Sequence, residues 1–437
     1  MVKKLHLLSF LAALMIALGV NAQVTTSAMS GVVTDSNEAL IGATVQAVHT
    51  PSGTKYNAVT NMDGRYSMQG MRTGGPYTVT VTYVGYQPKV YEQVILQLGE
   101  TYNLDVLMDM STSQLGEVVV IGTNTKFTTE KTGASTNITN AQITSLPSVT
   151  RSITDITRLS PYGGNGMSFA GTDGRTANFT VDGANFNNNF GLSESLPGGG
   201  NPISLEAIEE MQVVISPYDV RQTNFIGGGV NAITKSGTNL FRGSAYFYHR
   251  NENLRGDAVN HEQIGQAREK DRVSTYGFTA SGPIVKDKLF FFVNGEMTKK
   301  PTIVNRWVAS VHGDGDAEHY VSRTLLSDLQ RVSDFVREKY GYNTGSFTHF
   351  PADENNYKIL ARLDWNITEM HHLALRYNYT KNRYWSNPNM TSMDGGTRMP
   401  SSRVSQNSFS FAKSMYAMDN LVHSFSLDLN SRLADNL

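Results

Sequence analysis

The pattern of hydrophobic and polar positions changes character several times along the chain. Lys3 and Lys4 precede one apolar stretch over residues 7–20, and Val20-Asn21-Ala22 offers small residues where a signal peptidase reads. About 14 apolar residues fall short of the roughly 20 a spanning helix needs, so residues 1–22 read as a signal peptide and the mature chain starts at Gln23. From residue 30 to 108 the period is two, in Gly31-Val32-Val33-Thr34, Ala43-Thr44-Val45-Gln46-Ala47-Val48 and Tyr77-Thr78-Val79-Thr80-Val81-Thr82-Tyr83. Ser52-Gly53, Asp63-Gly64 and Gly74-Gly75-Pro76 punctuate these runs, which predict a small β-sandwich over 23–110.

Residues 111–130 form a polar linker around one β-branched run, Glu117-Val118-Val119-Val120-Ile121. By composition alone such a run is an ordinary buried strand. Its place between two domains leaves it without a sheet of its own, so the expectation is a strand free to add to a partner's sheet edge. Over 131–238 the pattern turns mixed α/β, with a short helix within 150–159 ahead of Pro161, a turn at Val181-Asp182-Gly183, and a helix-to-strand step over 203–215.

Beyond residue 239 the runs lengthen and become dyadic. In 372–380, Leu373, Leu375, Tyr377 and Tyr379 share one face, while Ala374, Arg376, Asn378 and Thr380 share the other. About six such candidates, near 239–250, 273–283, 289–297, 356–366, 372–382 and 420–431, approach the roughly 9–11 residues of a tilted barrel strand. Residues 282–288 and 366–371 read as short turns, and 298–355 and 383–419 as long loops, the asymmetry of an outer-membrane barrel. The first long loop shows helical spacing from Val321 to Tyr340, through Leu325, Leu329, Val332 and Val336, before Gly341. The fold class is therefore mainly β: a sandwich, a mixed α/β domain, and the first strands of an antiparallel barrel over 239–437.

Composition narrows the chemistry. With 37 Lys+Arg against 38 Asp+Glu, a net charge of −1, the chain lacks the basic excess that nucleic acid requires. Cysteine is absent, so there is no disulfide, thiolate nucleophile or cysteine zinc site. His249-Arg250-Asn251-Glu252 has zinc-ligand spacing, with His372 as a distant third group, yet it sits where a strand runs into a loop rather than on rigid neighbouring elements. Asp314-Gly315-Asp316-Ala317-Glu318 supplies too few convergent oxygens for calcium. No G-x-S-x-G elbow or phosphate loop occurs. No catalytic residue, metal or cofactor is expected, and the chain does not read as an enzyme.

Several strings resemble known families. Gly31-Val32-Val33-Thr34-Asp35, Leu40-Ile41-Gly42-Ala43-Thr44-Val45, Thr60-Asn61-Met62-Asp63-Gly64-Arg65-Tyr66 and Val84-Gly85-Tyr86 resemble the carboxypeptidase regulatory-like domain that precedes many outer-membrane receptors of the Bacteroidetes type. Val181-Asp182-Gly183, Ile208-Glu209-Glu210-Met211-Gln212-Val213 and Gly227-Gly228-Gly229-Val230-Asn231-Ala232-Ile233-Thr234-Lys235-Ser236-Gly237-Thr238 resemble, in order, the plug of TonB-dependent receptors, running into the barrel as in the Oar-like branch. The resemblance implies that Glu117, Val118, Val119, Val120 and Ile121 form the TonB box. It further implies TonB and its inner-membrane energising complex as partners, outer-membrane lipid around the barrel, a periplasmic N-terminal domain, and import of a siderophore, glycan, cobalamin or peptide. Aromatics such as Phe186, Phe190 and Tyr162 are candidates to face ligand or to fill the plug core. Barrels of this type close at about 22 strands, whereas six leave two bare edges that hydrocarbon cannot satisfy, so the chain is expected to be the N-terminal part of a longer protein. The alternative is a secreted or surface β-rich carbohydrate- or ligand-binding module without transport.

Overall fold

The computed structural model describes residues 24–36, 38–110, 118–121, 134–146, 148, 150–187, 196, 200–216, 222, 225–254, 256, 258–263, 272–301, 305–351, 353–386 and 405–432. The expected signal peptide, 1–22, and residues 111–117 and 122–133 of the expected linker lie outside them.

The sandwich consists of β1 (Ser27–Thr34), β2 (Thr44–His49), β3 (Thr54–Val59), β4 (Arg65–Met71), β5 (Gly74–Thr82), β6 (Lys89–Leu96), β7 (Thr101–Asn103) and β8 (Val106–Leu107). One sheet has the order β4-β1-β7, with β8 also on β1; the other runs β3-β2-β5-β6 and continues into β9 (Val118–Ile121). Period-two alternation sends Val45, Ala47, Tyr77, Val79 and Val81 from the second sheet, and Met29, Val33, Tyr66, Met68 and Met71 from the first, into one core. Each such aliphatic side chain contributes about 1.5–3 kcal/mol, and the phenolic groups of Tyr66 and Tyr77 are satisfied by the carbonyls of Leu104 (2.8 Å) and Arg72 (2.6 Å).

The second domain holds β10 (Ala134–Thr139), α1 (Asn140–Ser145), α2 (Ile153–Thr157), β11 (Asn178–Val181), β12 (Ala184–Asn185), β13 (Ile208–Ser216) and β14 (Gly229–Thr234), in the sheet order β10-β13-β14-β11-β12. Ser152 caps α2 by accepting from the Thr154 N–H, and Ile153 and Ile156 pack with Phe169, Phe179, Met211 and Val230. Only a 3₁₀ turn at Leu205–Ala207 precedes β13. Phe186 is 2% exposed within this core, while Tyr162 is 45% exposed; Phe190 lies outside the described residues.

The chain enters the third sheet at Gly237, where any side chain would meet the Phe291 carbonyl at 2.5 Å. The sheet comprises β15 (Arg242–Arg250), β18 (Val273–Val285), β19 (Leu289–Pro301), β22 (Asp353–Asn366), β23 (His371–Ser386) and β24 (Tyr416–Ser431), antiparallel in chain order. Small pairs β16 (Ala258–Val259) with β17 (Glu262–Gln263), and β20 (Val308–Ser310) with β21 (Val321–Leu325), decorate its long loops. The loop helix α3 (Leu326–Tyr340) is shorter than its spacing suggested, because Val321 and Leu325 belong to β21, which is parallel to β20. It ends at Gly341, left-handed at φ 63, with Arg337 and Lys339 in the last turn.

This sheet is inverted relative to a water-soluble one. Ile359, Leu363, Trp365, Leu375, Phe425, Leu427 and Leu429 are exposed, while Lys358, Arg362, Asp364, Arg376, Asn378 and Thr380 are buried. An apolar outer face against a polar interior is the signature of a membrane barrel. No helix among the described residues is long and apolar enough to cross a membrane.

Candidate functional site where three domains meet

The polar inner face of the barrel strands is covered by the second domain, and charge joins the two. Asp182 occupies the tight turn between β11 and β12 at φ 49, next to Gly183 at φ 81. Its carboxylate accepts from the Thr234 N–H (3.0 Å) and the Thr234 hydroxyl (2.6 Å) on β14, which fixes it toward the barrel wall. There it lies 3.8 Å from Arg362 Nη1 and 3.5 Å from Arg376 Nε. Arg362 forks onto Asp364 through Nε (2.9 Å) and Nη2 (2.8 Å) and donates Nη1 to the Thr234 carbonyl at 2.5 Å. Arg376 donates Nη1 to Asp428 at 2.5 Å.

The sandwich completes the network from below: Arg72 Nη2 reaches Asp364 at 3.1 Å. Three guanidinium groups and three carboxylates thus alternate from sandwich through barrel to plug, so that each buried charge has an opposite neighbour. A polar cavity of about 460 Å³ opens beside them, lined among others by Arg72, Glu209, Lys235, Arg242 and Arg362. His49 also borders it; burial, and then Arg72, push its imidazole down to about 3, so it is neutral and bonds to Ser52 at 2.6 Å.

A second seam ties residues 201–206 to the wall. Ser204 Oγ donates to Glu296 at 2.8 Å, Glu296 accepts from Lys358 at 2.8 Å, and Thr380 donates to the Pro202 carbonyl at 2.5 Å. Arg151 pairs with Glu206 and lies 3.7 Å over the Tyr248 ring.

The sandwich holds the plug mainly at Leu98, beside Val24, whose carbonyl accepts from Asn231 Nδ2 at 2.5 Å. Leu98 donates its N–H to Glu210 (3.1 Å), and its carbonyl accepts from Gln212 (2.7 Å) and Asn137 (3.0 Å). Its side chain is fully buried with Val24 and Ile233. Burial, with Glu100 and Glu209 adding to it, pushes the Glu210 carboxyl up to about 8 against the pull of the Leu98 N–H. Further contacts, Asn366 to Thr54 (3.0 Å) and Asn57 to Glu369 (3.2 Å), set the sandwich against the short-turn rim of the barrel. Short turns mark the periplasmic side.

The run at 117–121 departs from expectation. Val118–Ile121 is not without a sheet: it lies parallel to β6, in the register Lys89↔Val118, Val90↔Val119, Tyr91↔Val120 and Glu92↔Ile121. β6 is otherwise an edge strand, and its bare N–H and C=O groups supply the partner that the linker lacks; Glu117 lies outside the described residues. His249 bonds to Ser274 at 2.9 Å and Glu252 lies 3.9 Å from Arg272, so both serve the strand-end loop. Asp316 pairs with His319 at 2.6 Å. The cross-domain charge network escaped the sequence reading, although Arg376 was on the polar face it assigned; only the inward alternation of Arg362, Asp364 and Arg376 signalled it.

Comparison with known proteins agrees with this architecture. Residues 28–109 match the carboxypeptidase regulatory-like domain, and 233–315 match an outer membrane beta barrel domain. The chain is 23% identical over 339 residues to the TonB-dependent transporter Oar of Myxococcus xanthus, covering 74% of this chain and 30% of that protein. It is 33% identical over 103 residues to the probable TonB-dependent siderophore receptor PirA of Acinetobacter baumannii, covering 23% of this chain and 12% of that one. Among solved structures it is similar to the outer membrane transporter YddB from Escherichia coli, with a TM-score of 0.43 and 14% identity over 69% of this chain and 37% of that chain. The chain spans less than a third of the length of these curated relatives. Its barrel strands are those of the outer membrane.

Proposed function

We propose, from the chain's kinship with TonB-dependent outer-membrane receptors, that it forms the periplasmic domain, plug and first barrel strands of a transporter that imports a scarce ligand with energy delivered by TonB. In this reading 23–110 is the sandwich, 111–130 the linker with its TonB box at 117–121, 131–238 the plug, and 239–437 barrel. Asp182 between Arg362 and Arg376 is the observation that carries it. A plug held to its wall by ion pairs and single hydrogen bonds can slide, because each contact can be exchanged for water or for a neighbouring polar group. An apolar interface of the same area would expose its hydrocarbon on every stroke.

The role of the box follows from strand addition: a partner strand paired along 118–121 grips through several backbone hydrogen bonds that resist shear without a shaped pocket. A siderophore-type ligand is the first candidate, since one relative carries that name; glycan, cobalamin and peptide follow. The energised system pulls on the box and rearranges the plug, and no covalent chemistry is required of the chain.

The test is accumulation of labelled ferric siderophore, cobalamin, oligosaccharide and peptide in cells producing the full-length receptor, with and without TonB. One ligand class is expected to accumulate only when TonB is present. Binding at the surface without accumulation would instead favour a β-rich binding module.

A further inference from the structure

The outer edge of β9 is a prepared docking edge. In the sheet β3-β2-β5-β6-β9, one side of β9 is taken by β6, and its other side has no neighbour among the described residues. The approach to this position is pinned along the same edge: Gln87 N–H donates to the Asp109 carbonyl at 2.9 Å, Tyr86 bridges Met110, and Lys89 Nζ lies 3.0 Å from Asp109. Two residues beyond its last position, β6 delivers Leu98 into the grip of Glu210, Gln212 and Asn137. The seat under β9 is thereby fixed relative to the plug.

A peptide held in a linker must surrender backbone freedom before it can be read as a strand. Here β6 has already imposed the extended conformation and the register, so the ordering cost of the box falls before any partner arrives. From this geometry we infer that the sandwich presents the box as a preformed edge, and that an extended strand of TonB adds to the outer side of β9 as the next strand of the sandwich sheet, without displacing β9 from β6. This rests on the reading of 117–121 as the TonB box. It assigns the carboxypeptidase regulatory-like domain a purpose, as the template on which the energising partner assembles.

These 437 residues contain no cysteine, so every thiol in this part of the receptor is an introduced one. In the full-length receptor, Glu92→Cys together with Ile121→Cys places thiols at opposite positions of the parallel pair, where the strand spacing of about 4.8 Å suits a disulfide. The expected result is that the bond forms on mild oxidation, and that the oxidised receptor binds a soluble periplasmic TonB fragment at least as tightly as the reduced one. Failure to cross-link, with Lys89→Cys and Val118→Cys as the second pair, overturns the seat. Binding weakened tenfold or more by oxidation and restored by reductant overturns it too, since TonB would then need the edge that β6 occupies. If the reduced receptor also fails to bind, the box assignment falls along with the proposal.

Discussion

Leu98 of the sandwich donates its backbone N–H to the carboxyl of Glu210 in the plug at 3.1 Å, in a setting where that carboxyl is 3% exposed. Burial raises its pKa to about 8 from an ordinary value near 4.5. A carboxyl whose folded pKa is raised favours the docked state fully below its unfolded pKa, and that contribution is lost as pH rises through the folded pKa. Docking of sandwich on plug should therefore be strongest near pH 5 and weaken by up to a few kcal/mol between pH 5 and 9. Glu210→Gln should flatten that dependence. Thermal unfolding of the two proteins across this range decides it, and a parallel pH profile for both would remove Glu210 from the account.

The Asp182 network yields a second expectation. Removing one member of a buried ionic group leaves its partners uncompensated and costs about 3–5 kcal/mol. Asp182→Ala strands Arg362 and Arg376 and also unbinds Thr234. Amide hydrogen exchange over β14 should accelerate by about two to four orders of magnitude while the sandwich core is unaffected. Exchange left unchanged would mean the plug is held by its apolar contacts alone.

A third concerns the lipid face. Phe425 is 73% exposed on β24, and a charge at a bilayer-facing position costs about 2–4 kcal/mol near the midplane. Phe425→Arg should lower the stability of the receptor folded into lipid vesicles by that amount, whereas Ser424→Ala, on the opposite face, should stay within about 0.5 kcal/mol. A sheet that faced water would respond in the reverse sense, gaining solubility from the arginine.

Much of the architecture was legible because strand periodicity reports a face directly. The dyad of Leu373, Leu375 and Tyr377 against Arg376 and Asn378 located β23 to within a few residues, and all six barrel strands formed near their expected places. Five of them run longer than predicted, since polar ends such as 298–301 and 353–355 continue the ladder where the apolar alternation has stopped, whereas the first starts three residues late, at Arg242. The helix start was misplaced for a related reason: Val321 and Leu325 fit a helical stripe, but pairing with β20 claimed them. Contacts between domains left no periodic trace. Nothing in the string Gln97-Leu98-Gly99 marks Leu98 as the residue clasped by Glu210, Gln212 and Asn137, because that role depends on groups more than a hundred positions away for two of the three. The seat of Val118–Ile121 was likewise invisible, since an edge strand such as β6 advertises only its own alternation.

The most direct test of the central claim is binding of a soluble periplasmic TonB fragment to the full-length receptor in detergent, wild type against Val119→Pro. Proline deletes one N–H from the box strand and disfavours the ladder around it. The account predicts that wild type binds and Val119→Pro loses at least tenfold in affinity while surface ligand binding is retained. Equal affinity of the two proteins for TonB would contradict the assignment of residues 117–121, and with it the route by which energy is proposed to reach the plug.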